Sequence, residues 1–171
     1  MSRENAMKKE KVTIAEERIT MEQWEQLVKE GIRMPIAVFT SGISMWPLLR
    51  AHEDYAVMEY PTRELRKGDI IVFHRTDGKE VAHRLCWMDE TSLQTIGDNC
   101  DEPDAKFPRT SVAGLVTSVC RKGRTIHVDT RFWRFYGRFM IWSNPVRMFI
   151  RNKMFRPFRR FMIRIIKGKK K

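Results

Sequence analysis

"KGDIIVFHRTDGKEVAHRLCW", residues 67–87, holds two β-prone runs around an Asp-Gly pair. Asp77-Gly78 suits a tight turn that needs positive φ, so residues 70–74 and 80–87 are expected to form a β-hairpin. On its second strand the side chains alternate, with Val81, His83 and Leu85 on one face and Ala82, Arg84 and Cys86 on the other. His83 therefore shares its face with apolar neighbours.

Similar short runs lie on either side: "MPIAVFT" (34–40), "YAVMEY" (55–60), "SLQTIGD" (92–98) and "SVAGLVTSV" (111–119). Separated by turn signals, they predict a mainly β core, a small mixed-to-antiparallel sheet or barrel. Before them, "TMEQWEQLVKEG" (20–31) sets Thr20 three residues ahead of Gln23 and ends in Gly31, which predicts a short capped helix over 21–30. Its apolar Trp24, Leu27 and Val28 dock it on the core. The expected organisation is an N-terminal arm and helix (1–31), a core (32–130) and a C-terminal tail (131–171).

Three cysteines, Cys86, Cys100 and Cys120, share no CxxC spacing and are odd in number. Neither a disulfide framework nor a zinc site is expected from them. The first 20 residues carry charges throughout and no apolar h-region, which argues against a signal peptide or a membrane span and for a cytoplasmic location. Charge is unevenly spread. Residues 131–171 hold 14 of the 33 lysines and arginines and none of the 21 acidic residues, so residues 1–130 are close to neutral.

Candidate chemistry centres on "SGISMWP" (41–47), where Ser44 follows a glycine two residues before it and precedes Met45. A serine becomes a good nucleophile only when a neighbouring base takes its proton. His83 is the candidate base, and "GDNCDEPD" (97–104) crowds Asp98, Asp101, Glu102 and Asp104 into one loop. Ser, His and Asp on strand ends and loops are the parts needed for acyl transfer, although a solvated acidic loop, with or without a bound cation, would read the same way.

Four blocks in order, "SGISMWPLL" (41–49), "KGDIIVFH" (67–74), "VAHRL" (81–85) and "GDNCDEPD" (97–104), resemble the consecutive boxes of the type I signal peptidase family, and "VAGLV" (112–116) resembles the strand that follows them. With His83 before Arg84, the chain is similar to the archaeal and endoplasmic-reticulum branch, which uses Ser-His-Asp, rather than to the bacterial branch with a lysine base. The resemblance implies a LexA/signal-peptidase-like β core, Ser44 as nucleophile, His83 as general base and Asp104 as the acid, with Asp98 the second choice. It also implies a peptide or precursor-protein substrate, small residues before the cut, and Gly42, Trp46 and Leu48 near the binding groove. No metal or organic cofactor is implied. The Ser44 backbone N–H is the expected oxyanion donor. The run at 34–40 offers an edge on which a peptide can pair. Two departures stand out. Gly42 occupies a position where many relatives have serine, giving a Gly-x-Ser-Met pattern closer to LexA-type self-cleaving repressors, and no apolar helix precedes the serine box. A self-cleaving regulator, with Ala6-Met7 or Ala113-Gly114 as its bond, and a non-catalytic binding module are the alternative readings.

The tail interleaves arginines with ten of the chain's eighteen aromatics, and its prolines, Pro145 and Pro157, divide it into short helices. Its longest charge-free run is the eight residues 139–146, too short for a span. Basic amphipathic helices suit an anionic membrane surface. The expected division places 131–142 on the body and 147–171 on the inner membrane face, ahead of packing alone and of nucleic acid as the tail's partner.

Overall fold

The computed structural model describes residues 19–39 and 41–155. The N-terminal arm with Ala6-Met7, and residues 156–171 of the tail with Pro157, lie outside the described residues. Helix α1 (Met21–Lys29) starts as expected: the Thr20 hydroxyl accepts the Gln23 N–H while the Gln23 side chain accepts the Thr20 N–H. Trp24 is buried from it, and its indole N–H donates to the Met34 carbonyl at 2.7 Å. That bond satisfies the one polar atom of the side chain that fastens α1 to the core.

Strands β1 (Ile36–Phe39), β2 (Asp54–Glu59), β3 (Ile70–His74), β4 (Glu80–Met88), β5 (Ser92–Ile96), β6 (Phe107–Pro108), β7 (Val112–Arg121) and β8 (Arg124–His127) form one antiparallel, curled half-barrel sheet. Its order is β1-β2-β7-β3-β4-β5-β6, with β8 also on β7, so β1 stands at an edge. The β3–β4 hairpin pairs Ile71 with His83 and turns at Gly78, whose φ of 77° meets the demand read from Asp-Gly. Register shifts at Val57/Met58, Val72/Phe73 and Leu85/Trp87 mark irregularities of the β-bulge kind, which bend strands and increase twist.

Both faces of the sheet are covered. Ile70 and Val72 point into one cluster with Trp24, Met45, Leu49 and Val119, whereas Ile71 and Phe73 join Leu85, Leu93 and Leu115 in another. This is why β3 reads as an unbroken apolar run. After β8, helices α2 (Arg131–Trp142) and α3 (Asn144–Ile150) lead into a π-helical turn, Arg151–Phe155. Helix α2 lies against the body through Gly137, where an added Cβ would sit 2.6 Å from the Gly68 carbonyl oxygen and 2.8 Å from Arg84 Nη1. Only a residue without a side chain lets the helix approach so closely.

Candidate active site

His83 lies on β4 and is 6 % exposed. Its Nδ1 is 2.7 Å from Asp104 Oδ2, and the same oxygen accepts the Thr95 hydroxyl at 2.7 Å. Register explains this meeting. Leu85 pairs with Thr95, so Thr95 shares the face of His83 and Leu85, and the chain returning from the 97–104 loop bonds the Asp104 N–H to the Thr95 carbonyl at 2.8 Å. The Gln94 amide also donates to the Asp104 carbonyl, at 3.0 Å. Burial pushes the Asp104 carboxyl up, but the hydrogen bonds from His83 and Thr95 outweigh it and hold the group below its ordinary range. An ionised Asp104 accepts a hydrogen bond from the Nδ1–H, which leaves Nε2 as the ring's acceptor.

Nε2 faces Gly97. A Cβ built there would lie 3.1 Å from His83 Nε2, 2.8 Å from the Ser44 carbonyl oxygen and 2.6 Å from Cys100 Sγ. One small volume, left open by a missing side chain, thus brings together the imidazole and the backbone of the serine loop. Two further bonds fasten that loop: the Asn99 N–H donates to the Ser44 carbonyl at 2.6 Å, and the Asn99 amide donates to the Ile43 carbonyl at 3.1 Å. From the other side Met45, Leu48 and Leu49 anchor it in the core, and Arg121 donates to the Pro47 and Leu48 carbonyls. Buried Asp54 completes the anchor by accepting from Arg50 and Arg121. Burial raises the Asp54 carboxyl, yet the bonds from Arg50 and Arg121 bring it below its usual value.

Ser44 itself is partly buried, and neither its Oγ nor its backbone N–H makes a hydrogen bond among the described residues. The Ser44 loop and the His83 ring are neighbours across Gly97, and no hydrogen bond joins Ser44 to His83 among the described residues. The N–H remains available to an oxyanion. Cys100, whose Sγ lines the same volume, is the rival nucleophile, but burial pushes its thiol up and so disfavours the reactive thiolate.

Asp98, the second choice for the acid, goes elsewhere. Its carboxylate takes a two-pronged bond from Arg84 at 2.7 and 2.6 Å, with both residues 2 % exposed. Because His83 and Arg84 are adjacent on a strand they face opposite sides of the sheet, and the 97–104 loop supplies one aspartate to each. Asp101 pairs with Arg151, so three of the four crowded acids, Asp98, Asp101 and Asp104, each have a different cationic or imidazole partner. Among the described residues no group of three or more His, Cys, Asp or Glu side chains is placed to hold a metal ion. Of the expected groove residues, Gly42 and Trp46 are exposed, but Leu48 is 4 % exposed inside the first core cluster. Leu48 is a core residue that anchors the serine loop, and the groove expectation for it is corrected accordingly.

Several positioning residues escaped the sequence reading. Thr95, Asn99 and Gly97 sit within or beside the recognised boxes, but their partners come from other segments. Arg147 reaches from α3 to the Asp98 carbonyl at 2.7 Å, and Arg151 reaches the Asn99 carbonyl at 2.6 Å. The expected division of the tail at residue 147 is revised by these two bonds: both arginines turn inward onto the site loop. Cys86, Cys100 and Cys120 are free thiols. No helix among the described residues is long and apolar enough to cross a membrane. The chain matches no protein-family model, no curated protein and no solved structure.

Proposed function

We propose that the chain is a serine endopeptidase of the signal-peptidase type, cleaving peptide or precursor-protein substrates through Ser44, His83 and Asp104. The observation that carries this reading is the His83–Asp104 bond, whose geometry leaves Nε2 directed at the volume shared with the Ser44 loop. In the reaction Ser44 Oγ attacks the scissile carbonyl carbon as its proton passes to His83 Nε2, and Asp104 stabilises the resulting imidazolium. The tetrahedral oxyanion faces the Ser44 N–H. Collapse breaks the C–N bond, His83 returns the proton to the leaving amine, and an ester to Ser44 remains. Water then attacks that ester with His83 again as base, releasing the acid and regenerating the serine. A bound peptide extends the sheet at β1, beside exposed Gly42 and Trp46.

Self-cleavage is the weaker reading. Ala113 and Gly114 are buried in β7, between β2 and β3, so their bond reaches Ser44 only if a central strand leaves the sheet. The test is incubation with a pool of unstructured peptides, with new termini read by mass spectrometry. Cuts after small residues are expected from the wild type and not from Ser44→Ala; equal cutting by both would remove Ser44 from the reaction.

A further inference from the structure

Among the described residues, nothing covers one apolar face of helices α2 and α3. Gly137, Met140, Asn144 and Met148 are buried toward the body. On another side Phe132, Phe135, Phe139, Trp142, Val146 and Phe149 follow one another at intervals of three and four residues, and they are between 45 % and 77 % exposed. The row continues through the junction, because the Ser143 N–H bonds to the Phe139 carbonyl at 2.8 Å and the Arg147 N–H to the Ser143 carbonyl at 3.0 Å. At about 1.5 Å per residue it runs for roughly 26 Å. Exposed apolar stripes of this size on a protein surface mark a contact site.

Charge identifies the occupant. Exposed Arg131 and Arg138, seven residues apart, flank the stripe, and exposed Lys153 follows it. The segment 131–171 has 14 basic residues and no acidic one. A second copy would set two such cationic rows together with nothing between them to neutralise either. A nucleic acid would satisfy the cations, but six aliphatic and aromatic side chains in a row carry only the Trp142 indole N–H toward its polar edges. An anionic bilayer meets both demands at once, with acyl chains for the stripe and headgroups for the arginines, and Trp142 suits the boundary between them.

We propose that the outward face of α2–α3 is a membrane-interface surface that attaches this chain peripherally to bilayers containing anionic phospholipid. The attachment begins at residue 131, ahead of the segment expected from sequence, and does not rest on the peptidase reading. It does lie close to the site: Arg151, at the end of α3, bonds Asn99, which bonds the Ile43 and Ser44 carbonyls.

Partition of the full chain onto phosphatidylcholine vesicles with and without phosphatidylserine, read by flotation, tests this surface. Wild type is expected to float with the phosphatidylserine vesicles. Phe135→Ser with Trp142→Ser, both exposed, is expected to weaken partition at least about tenfold while circular dichroism and the unfolding midpoint stay unchanged. Phe135→Leu with Trp142→Phe is expected to keep partition within about threefold of wild type; should the serine pair unfold the chain, Phe132→Ser, at the start of α2, carries the same test. Three outcomes overturn the proposal: no partition of wild type; partition indifferent to the stripe, which would assign it to residues 156–171; or a stripe-dependent dimer or oligonucleotide complex without vesicle binding.

Discussion

Gly97 shows how far a single atom decides this site. Alanine there would press a methyl group onto the Ser44 carbonyl oxygen and toward His83 Nε2, so loop and ring must part. A displacement of about 1 Å in a catalytic constellation can cost a hundredfold in rate. Gly97→Ala is therefore expected to lower the rate of serine acylation by about that factor while costing about 1–3 kcal/mol of stability, the usual range for overpacking; unchanged acylation would mean that the neighbourhood of Ser44 and His83 is irrelevant. Thr95→Val keeps the shape but removes one donor from the Asp104 carboxylate, and is expected to cost about 1.5–3 kcal/mol in denaturant unfolding. Ser44, His83 and Asp104 were legible as residues because each stood in a motif with its own spacing. The order of choice, Asp104 before Asp98, came from the resemblance alone, because which carboxylate meets His83 depends on which strand face each one reaches. Thr95 and Asn99 act only through partners brought by the fold, which no local pattern announces.

The elements that carry these residues are held by a buried ion pair. Arg84 on β4 and Asp98 beyond β5 face each other out of water, with Gly68, Gly137 and Tyr136 around the guanidinium. Removing one partner strands the other, so Arg84→Met is expected to cost about 3–5 kcal/mol, while Arg84→Met with Asp98→Leu recovers much of the loss. Additive losses in the double variant, read from urea midpoints, would mean that the two charges do not act as a pair. At this scale the sequence was readable where turn and cap chemistry is local, as in the β3–β4 hairpin and the boxed start of α1. The tail was less readable. Helix α2–α3 has one apolar side against Gly68 and another toward solvent, and periodicity alone does not say which one docks. Nor does composition reveal that Arg147 and Arg151 turn back onto the loop at 98–99.

At the scale of the molecule, the near-neutral body and the basic tail are joined through the same loop that bears Asp104. Acid acts on this arrangement in a definite direction. Asp54 and Asp104 both have carboxyls held below their ordinary range in the folded chain, so the unfolded chain binds more protons between the folded and unfolded values. Their stabilisation is complete above the ordinary carboxylate range, near pH 4, and is lost as pH falls through the folded values. Unfolding midpoints followed downward from neutral pH should decline in that acid range, and less steeply for Asp104→Asn; identical profiles would remove Asp104 from the linkage. The proposed peptidase requires an activated serine. Its most direct measurement is labelling of the purified chain with a serine-directed phosphonate, in the presence of phosphatidylserine vesicles, with the adduct site read by mass spectrometry. One adduct is expected, on Ser44, absent in Ser44→Ala and strongly slowed in His83→Ala. An adduct that forms equally fast without His83, or none on Ser44 at all, would contradict the peptidase reading.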